Sequence, residues 1–161
     1  MTTNVNNIIK GSVNGQGFLQ HSAVPVNDAT FPIAEGDLAY WDSVAGLAKP
    51  LDTDAHAATL LGVALKPSKV NSGIDNTPSG EPDTTIGYGV LAEMFTTPAE
   101  TYANGAKVYI GANAQTITTV AGANAVGVVR LPSLNGGPVT GAAGIKVQVQ
   151  VYSRAWIALH D

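Results

Sequence analysis

The chain has 161 residues, no cysteine, 12% charged residues and a formal net charge of −4. That length predicts one domain able to bury a core of its own, and the missing thiols exclude disulfides and thiolate metal sites. At 45% hydrophobic content a disordered chain is not expected, and eight scattered Lys and Arg form no basic stripe of the kind that binds nucleic acid.

The opening segment, "MTTNVNNIIKGSVNGQG", is polar, Asn-rich and broken by glycines. Residues 1–16 read as an extended N-terminal arm and residues 17–161 as a β-rich body. Short runs of Val, Ile, Thr and Tyr follow, punctuated by Gly, Pro, Asn and Asp at strand-length intervals. "FLQHSAVPV" starts the body. "GDLAYWDSVAGLAKPL" reads as a hairpin, and "DAHAATLLG" as a short helix capped by Asp52 or Thr53 and ending at Gly62. "LLGVAL" is a strand.

Residues 67–84, rich in proline and glycine, read as a surface loop unusually long for a compact domain. "TTIGYGVLAEMF", "AKVYI" and "AVGVVRL" are further strands. Between them, "TPAETYANG" has the spacing of a capping box, Thr97 to Glu100 with Pro98 at the first helical position, and predicts one or two helical turns. Near the end, Ile145, Val147, Val149 and Val151 alternate with Lys146, Gln148, Gln150 and Tyr152, which predicts a strand with the first set buried.

One pattern occurs twice. Gly36, Tyr40 and Gly62-Val63 align with Gly105, Tyr109 and Gly127-Val128, with 26 and 22 residues between each opening Gly and its Gly-Val. The expected architecture is therefore mainly β: a small β-barrel or β-tulip-like single domain with an extended arm, little helix and an internal two-fold hairpin repeat. Two related half-barrels closing one core would remove exposed strand edges. Charge is uneven: residues 1–100 hold eleven acidic and four basic side chains, residues 101–161 one acidic and four basic. Such asymmetry can steer docking.

Catalytic and cofactor motifs fail at the residue level. No serine occupies a Gly-x-Ser-x-Gly elbow and no Gly-x-x-x-x-Gly-Lys-Ser/Thr phosphate loop occurs. "GQGFLQ" and "GYGVLA" lack the third glycine of a dinucleotide fingerprint. Asp52, Asp54 and His56 stand at alternate positions and would share a strand face, the best available cation site, although no second cluster completes it. The expectation is a protein that is not an enzyme and takes no cofactor or metal. Tyr40 and Trp41, adjacent on a strand, should point to opposite faces, one into the core and one partly outward. With Trp156 they are the candidate subunit-interface aromatics.

"GDLAYWD" with "AGLAKPLDTDAHAATLLGVAL", then "NGAKVYIGANAQTITT" with "NAVGVV", resembles the head decoration, or cement, proteins of tailed bacteriophages. The matching features are the acidic turn Gly36-Asp37, the strand Ala39-Tyr40, the return Leu47-Ala48-Lys49-Pro50 and Gly62-Val63-Ala64, across roughly residues 35–130. The second copy departs from the pattern with Ala106 where the first has Asp37.

The resemblance implies a barrel-like homotrimer on the capsid exterior of a virion, made in the host cytoplasm. It implies the major capsid protein lattice as partner, with no nucleic acid or membrane contact. The arm, through Asn4, Asn6, Asn7, Ile8, Ile9 and Lys10, is then the expected capsid-binding segment, adding a strand to an exposed sheet edge. A fibre, tail or carbohydrate-binding β-module is the alternative.

Overall fold

β-Branched and aromatic runs between turn residues become strands because their side chains pack well on a pleated, half-buried surface. The computed structural model describes residues 7–9, 19–26, 30–65, 67, 83–113, 115–131 and 137–154. Within them the strands are Asn7–Ile9 (β1), Leu19–Pro25 (β2), Leu38–Asp42 (β3), Leu47–Pro50 (β4), Leu60–Ala64 (β5), Asp83–Tyr88 (β6) and Leu91–Thr96 (β7). Thr101–Tyr102 (β8), Lys107–Ile110 (β9), Thr116–Thr118 (β10), Gly127–Val129 (β11), Val139–Thr140 (β12) and Lys146–Val151 (β13) complete the set. The protein is mainly β, as its residue pattern predicts.

Two sets of five strands share one topology. The second half forms a closed barrel in the order β7-β13-β11-β9-β10, every pair antiparallel except β10 with β7, whose parallel pairing closes it. The first half runs β2-β6-β5-β3-β4, again antiparallel throughout. A parallel bridge from Val26, just after β2, to Ala48 in β4 joins its two ends. Each hairpin repeat thus builds a five-stranded ring of its own, rather than half of one shared barrel. The strands that complete each ring, β2 with β6 and β7 with β13, lie outside the repeated motif.

The registers of the two rings coincide. Ala39 faces Gly62 across β3 and β5, as Val108 faces Gly127 across β9 and β11. Gly36 N–H donates to the Ala64 carbonyl at 2.8 Å, and Gly105 N–H to the Val129 carbonyl at 2.9 Å. Ala64 N–H returns a bond to the Asp37 carbonyl at 2.8 Å, and Val129 N–H to the Ala106 carbonyl at 2.9 Å. Ala106 therefore keeps the backbone role of Asp37 and drops only its carboxylate.

Burial follows the alternation of the strands. On β3, Ala39 and Trp41 pack in a cluster confined to the first ring, with Val24, Ile33, Ala48 and Ile86. Leu38 and Tyr40 point the other way, into a cluster that also holds Met94, Val108, Ile117 and Val149 of the second ring. The main core therefore spans both rings. On β13, Val147, Val149 and Val151 are buried as predicted. Ile145 is 40% exposed, because it precedes the strand and its N–H turns back to the Ala142 carbonyl.

The two predicted helices are absent in the predicted form. Residues 98–100 make a turn with Ala99 at φ 66°, and β8 follows. Thr97 Oγ1 donates to the Ile117 carbonyl at 2.7 Å, and the Glu100 carboxylate accepts from Thr118 Oγ1 and from the Thr119 N–H, both at 2.6 Å. Tertiary partners have taken both halves of the capping box. The "DAHAATLLG" helix shrinks to one 3-10 turn, His56–Thr59, and Leu60–Ala64 becomes strand instead. "TTIGYGVLAEMF" divides at Gly89, φ 70°, into β6 and β7. Of the predicted 67–84 loop, Asp83 and Thr84 already belong to β6, and residues 68–82 lie outside the described residues.

Candidate interaction site

The candidate residues fall at separate places. Asn7, Ile8 and Ile9 form β1, antiparallel to β7 with partners Glu93, Ala92 and Leu91. β10 uses the next stretch of the same β7 edge, at Phe95 and Thr96. The arm's described residues thus extend the second ring's own sheet by strand addition, while the ring closes without them. Asn4, Asn6, Lys10 and Trp156 lie outside the described residues.

Tyr40 and Trp41 sit in the first ring on opposite faces of β3, as the strand period requires. Tyr40 is buried and stacks on the His56 ring, centroids 4.4 Å apart at 7°. His56 Nδ1 lies 2.5 Å from Asp52 Oδ1. Burial first, then the nearby Asp52 charge, raises the Tyr40 pKa. Trp41 is half-buried against the first ring's cluster.

At the adjoining hairpin, Lys49 Nζ reaches Asp42 Oδ2 at 2.6 Å and lies 4.5 Å from the centre of the Phe31 ring. The Lys49 hydrogen bond, aided by the Ala45 amide, holds the Asp42 carboxyl down to about 2. The third member of the acidic motif turns away: Asp54 accepts from Ala123 N–H at 2.9 Å and Asn124 N–H at 3.2 Å, across the junction of the rings. Among the described residues no three His, Asp or Glu side chains group as metal ligands.

Two buried polar residues lie where β3 begins: Gln115, which motif reading did not single out, and Asp37, which it read only as an acidic turn. Gln115, at the β9–β10 turn, is buried and crosses to the first ring. Its Oε1 accepts from Leu38 N–H at 2.7 Å, and its Nε2 donates to the carbonyls of Leu38 at 3.1 Å and Leu51 at 2.9 Å. Asp37, buried at the entry to β3, accepts from Ala34 N–H at 2.9 Å through Oδ2, while Oδ1 has no partner. Burial lifts its pKa to about 6 against the opposing pull of the Ala34 amide. Extending the repeat alignment through the turns would have flagged Gln115 too, since its counterpart is Gly46, just as Asp37 already stood out against Ala106.

No family model matches the chain, and no curated protein matches it.

Proposed function

We propose that the protein is a structural virion subunit that binds the outer surface of a phage capsid and stabilises it, as a homotrimer clamping junctions between major capsid subunits. The observation that carries this reading is the placement of the resemblance. Gly36-Asp37, Ala39-Tyr40, Leu47–Pro50 and Gly62–Ala64 fold together around the contiguous three-stranded sheet β4-β3-β5, and the chain builds its counterpart again as β10-β9-β11. The side chains of Asp54, Glu100 and Gln115 bond backbone or hydroxyl groups far along the chain. That use of polar side chains suits a rigid scaffold. β1 supports the arm's part in attachment, because it already behaves as an added strand. Several arms on one oligomer would act at high effective concentration.

The test is co-sedimentation of the purified protein with DNA-free expanded capsids, using the full chain and a chain lacking residues 1–16. Saturable binding by the full chain and weaker binding by the truncated one is the expected result. Absence of binding to any capsid tested moves the weight to the alternative of a fibre, tail or carbohydrate-binding module. Half-buried Trp41 is the observation favouring that alternative. Glycan-array binding that disappears in Trp41→Ala would establish it.

A further inference from the structure

Along β3–β4 and β9–β10 the coincident registers make each position of one ring comparable with its twin in the other, and the contact between the rings is one-sided. On the first ring, Leu38 and Leu51 are fully buried where Gln115 of the second ring crosses to them. Their twins on the second ring are Lys107 and Val120. Lys107 is exposed, and Val120 is 68% exposed. The counterpart of Gln115 in the first ring is Gly46, at the β3–β4 turn, with φ 69° against 64°. That turn is exposed too, and Val44 on it is 98% exposed. A self-complementary contact would bury both members of each twin pair. This one buries one member and leaves the other open, as a head-to-tail contact does.

We propose that the open face of the second ring, at Lys107, Tyr109 and Val120, is an interface, and that it takes the Ser43–Gly46 turn of a second copy of this chain. The occupant follows from continuity with the contact already made inside the chain. Each copy carries one used and one unused half of the same ring-to-ring arrangement; Gly46 lacks the amide by which Gln115 makes its three bonds, so the unused halves would meet through the turn backbone and the two valine tips. Charge agrees: among the described residues, 19–88 hold six acidic and one basic side chain and 91–154 two acidic and four basic. A first ring therefore meets a second ring of the opposite sign. The apolar tips Val44 and Val120 lose water in the contact. Head-to-tail contacts either close or run on as filaments. Three copies closing this way place six rings of one topology around one axis.

The inference rests on the register of the rings and stands apart from capsid binding. A protein that assembles but ignores capsids keeps it, and one that binds capsids as a monomer loses it together with the proposed homotrimer, while capsid binding itself stands. The experiment is the sedimentation mass of the full chain beside Val44→Asp and Val120→Asp, both at exposed positions where folding is not at stake. An oligomer in the wild type whose dissociation constant rises at least tenfold in each variant is the expected result. A monomeric wild type overturns the proposal, as does an oligomer that either variant leaves unchanged.

Direction is read from single-cysteine chains, since the protein has none of its own. Val44→Cys mixed with Val120→Cys should be joined by a short bis-maleimide faster than either chain with itself. Equal or faster joining of like chains also overturns it.

Discussion

Gln115 sits at φ 64°, in a region that costs a side chain with a Cβ about 1 kcal/mol, whereas its twin Gly46 takes the same turn freely. Three hydrogen bonds to Leu38 and Leu51 offset that strain. Gln115→Ala keeps the strain and leaves the buried Leu38 N–H without its acceptor. It should lower stability by about 2–4 kcal/mol, seen as a lower urea midpoint at unchanged slope. Gln115→Gly should recover about 1 kcal/mol of that loss. A loss in Gln115→Ala below about 0.5 kcal/mol would mean that the side chain does not tie the rings.

Asp37 makes the second residue-scale case. Its folded pKa, about 6, stands above the ordinary 3.8, so between those values the folded chain holds a proton that the unfolded chain releases. Stability from this group is therefore greatest below pH 4, falls as pH rises to about 6, and stays reduced above. Asp37→Asn removes that titration. At pH 7 it should be the more stable protein by about 1–2 kcal/mol, allowing for residual screening by water, and near pH 3.5 the two should converge. Parallel stability curves across that range would remove Asp37 as the cause.

At the scale of the element, the repeated Gly-Val has a steric origin. A Cβ on Gly62 would run into the Gly87 carbonyl oxygen of β6, and one on Gly127 into the Gln150 carbonyl oxygen of β13, twin positions of the two ladders. The neighbouring strand leaves no room for a side chain, and backbone cannot step aside cheaply. Gly62→Ala or Gly127→Ala should each cost about 3 kcal/mol or more, measured by urea unfolding. Gly137→Ala, where a Cβ meets nothing within 4 Å, should change stability by less than about 0.5 kcal/mol. Equal costs at all three sites would break the steric account.

These two glycines also explain what the residues could tell in advance. A backbone approach that only glycine permits leaves its mark at the same place in both copies, so the β3–β5 and β9–β11 units were legible. Alternation made β13 legible as well. β6 and β7 were legible as strand too, in "TTIGYGVLAEMF", but the pairing of β2 with β6 and of β7 with β13 into separate rings was not, because alternation marks a strand without naming its partner. The Thr97–Glu100 spacing misled because helix capping is a local signal, and Thr118 and Thr119 offered the carboxylate stronger partners from another strand. Of the candidate site, the opposite facing of Tyr40 and Trp41 was readable from strand period. Gln115 was not, since its bonds to Leu38 span 77 residues.

Taken as a whole molecule, two rings of one topology raise the question of whether they unfold as two units or one. Independent units would each need a closed core, and among the described residues only the first ring has a cluster made from its own residues alone. The second ring's interior, with Met94, Val108 and Ile117, is continuous with Leu38, Leu51 and Leu60 of the first. Opening either ring therefore exposes apolar surface of the other, which couples them. Asp54 and Gln115 add polar ties across the same junction. Calorimetry should show a single transition whose van't Hoff and calorimetric enthalpies agree, on the order of 110 kcal/mol near 60 °C for a chain of this length. Two resolved transitions in the wild type would show that the shared core does not couple the rings. The double variant Asp54→Ala with Gln115→Ala removes the polar ties and keeps the apolar contact. If that contact is the main coupling, the transition moves to lower temperature and stays single. If it splits in two, the cooperativity of the chain resides in those two side chains.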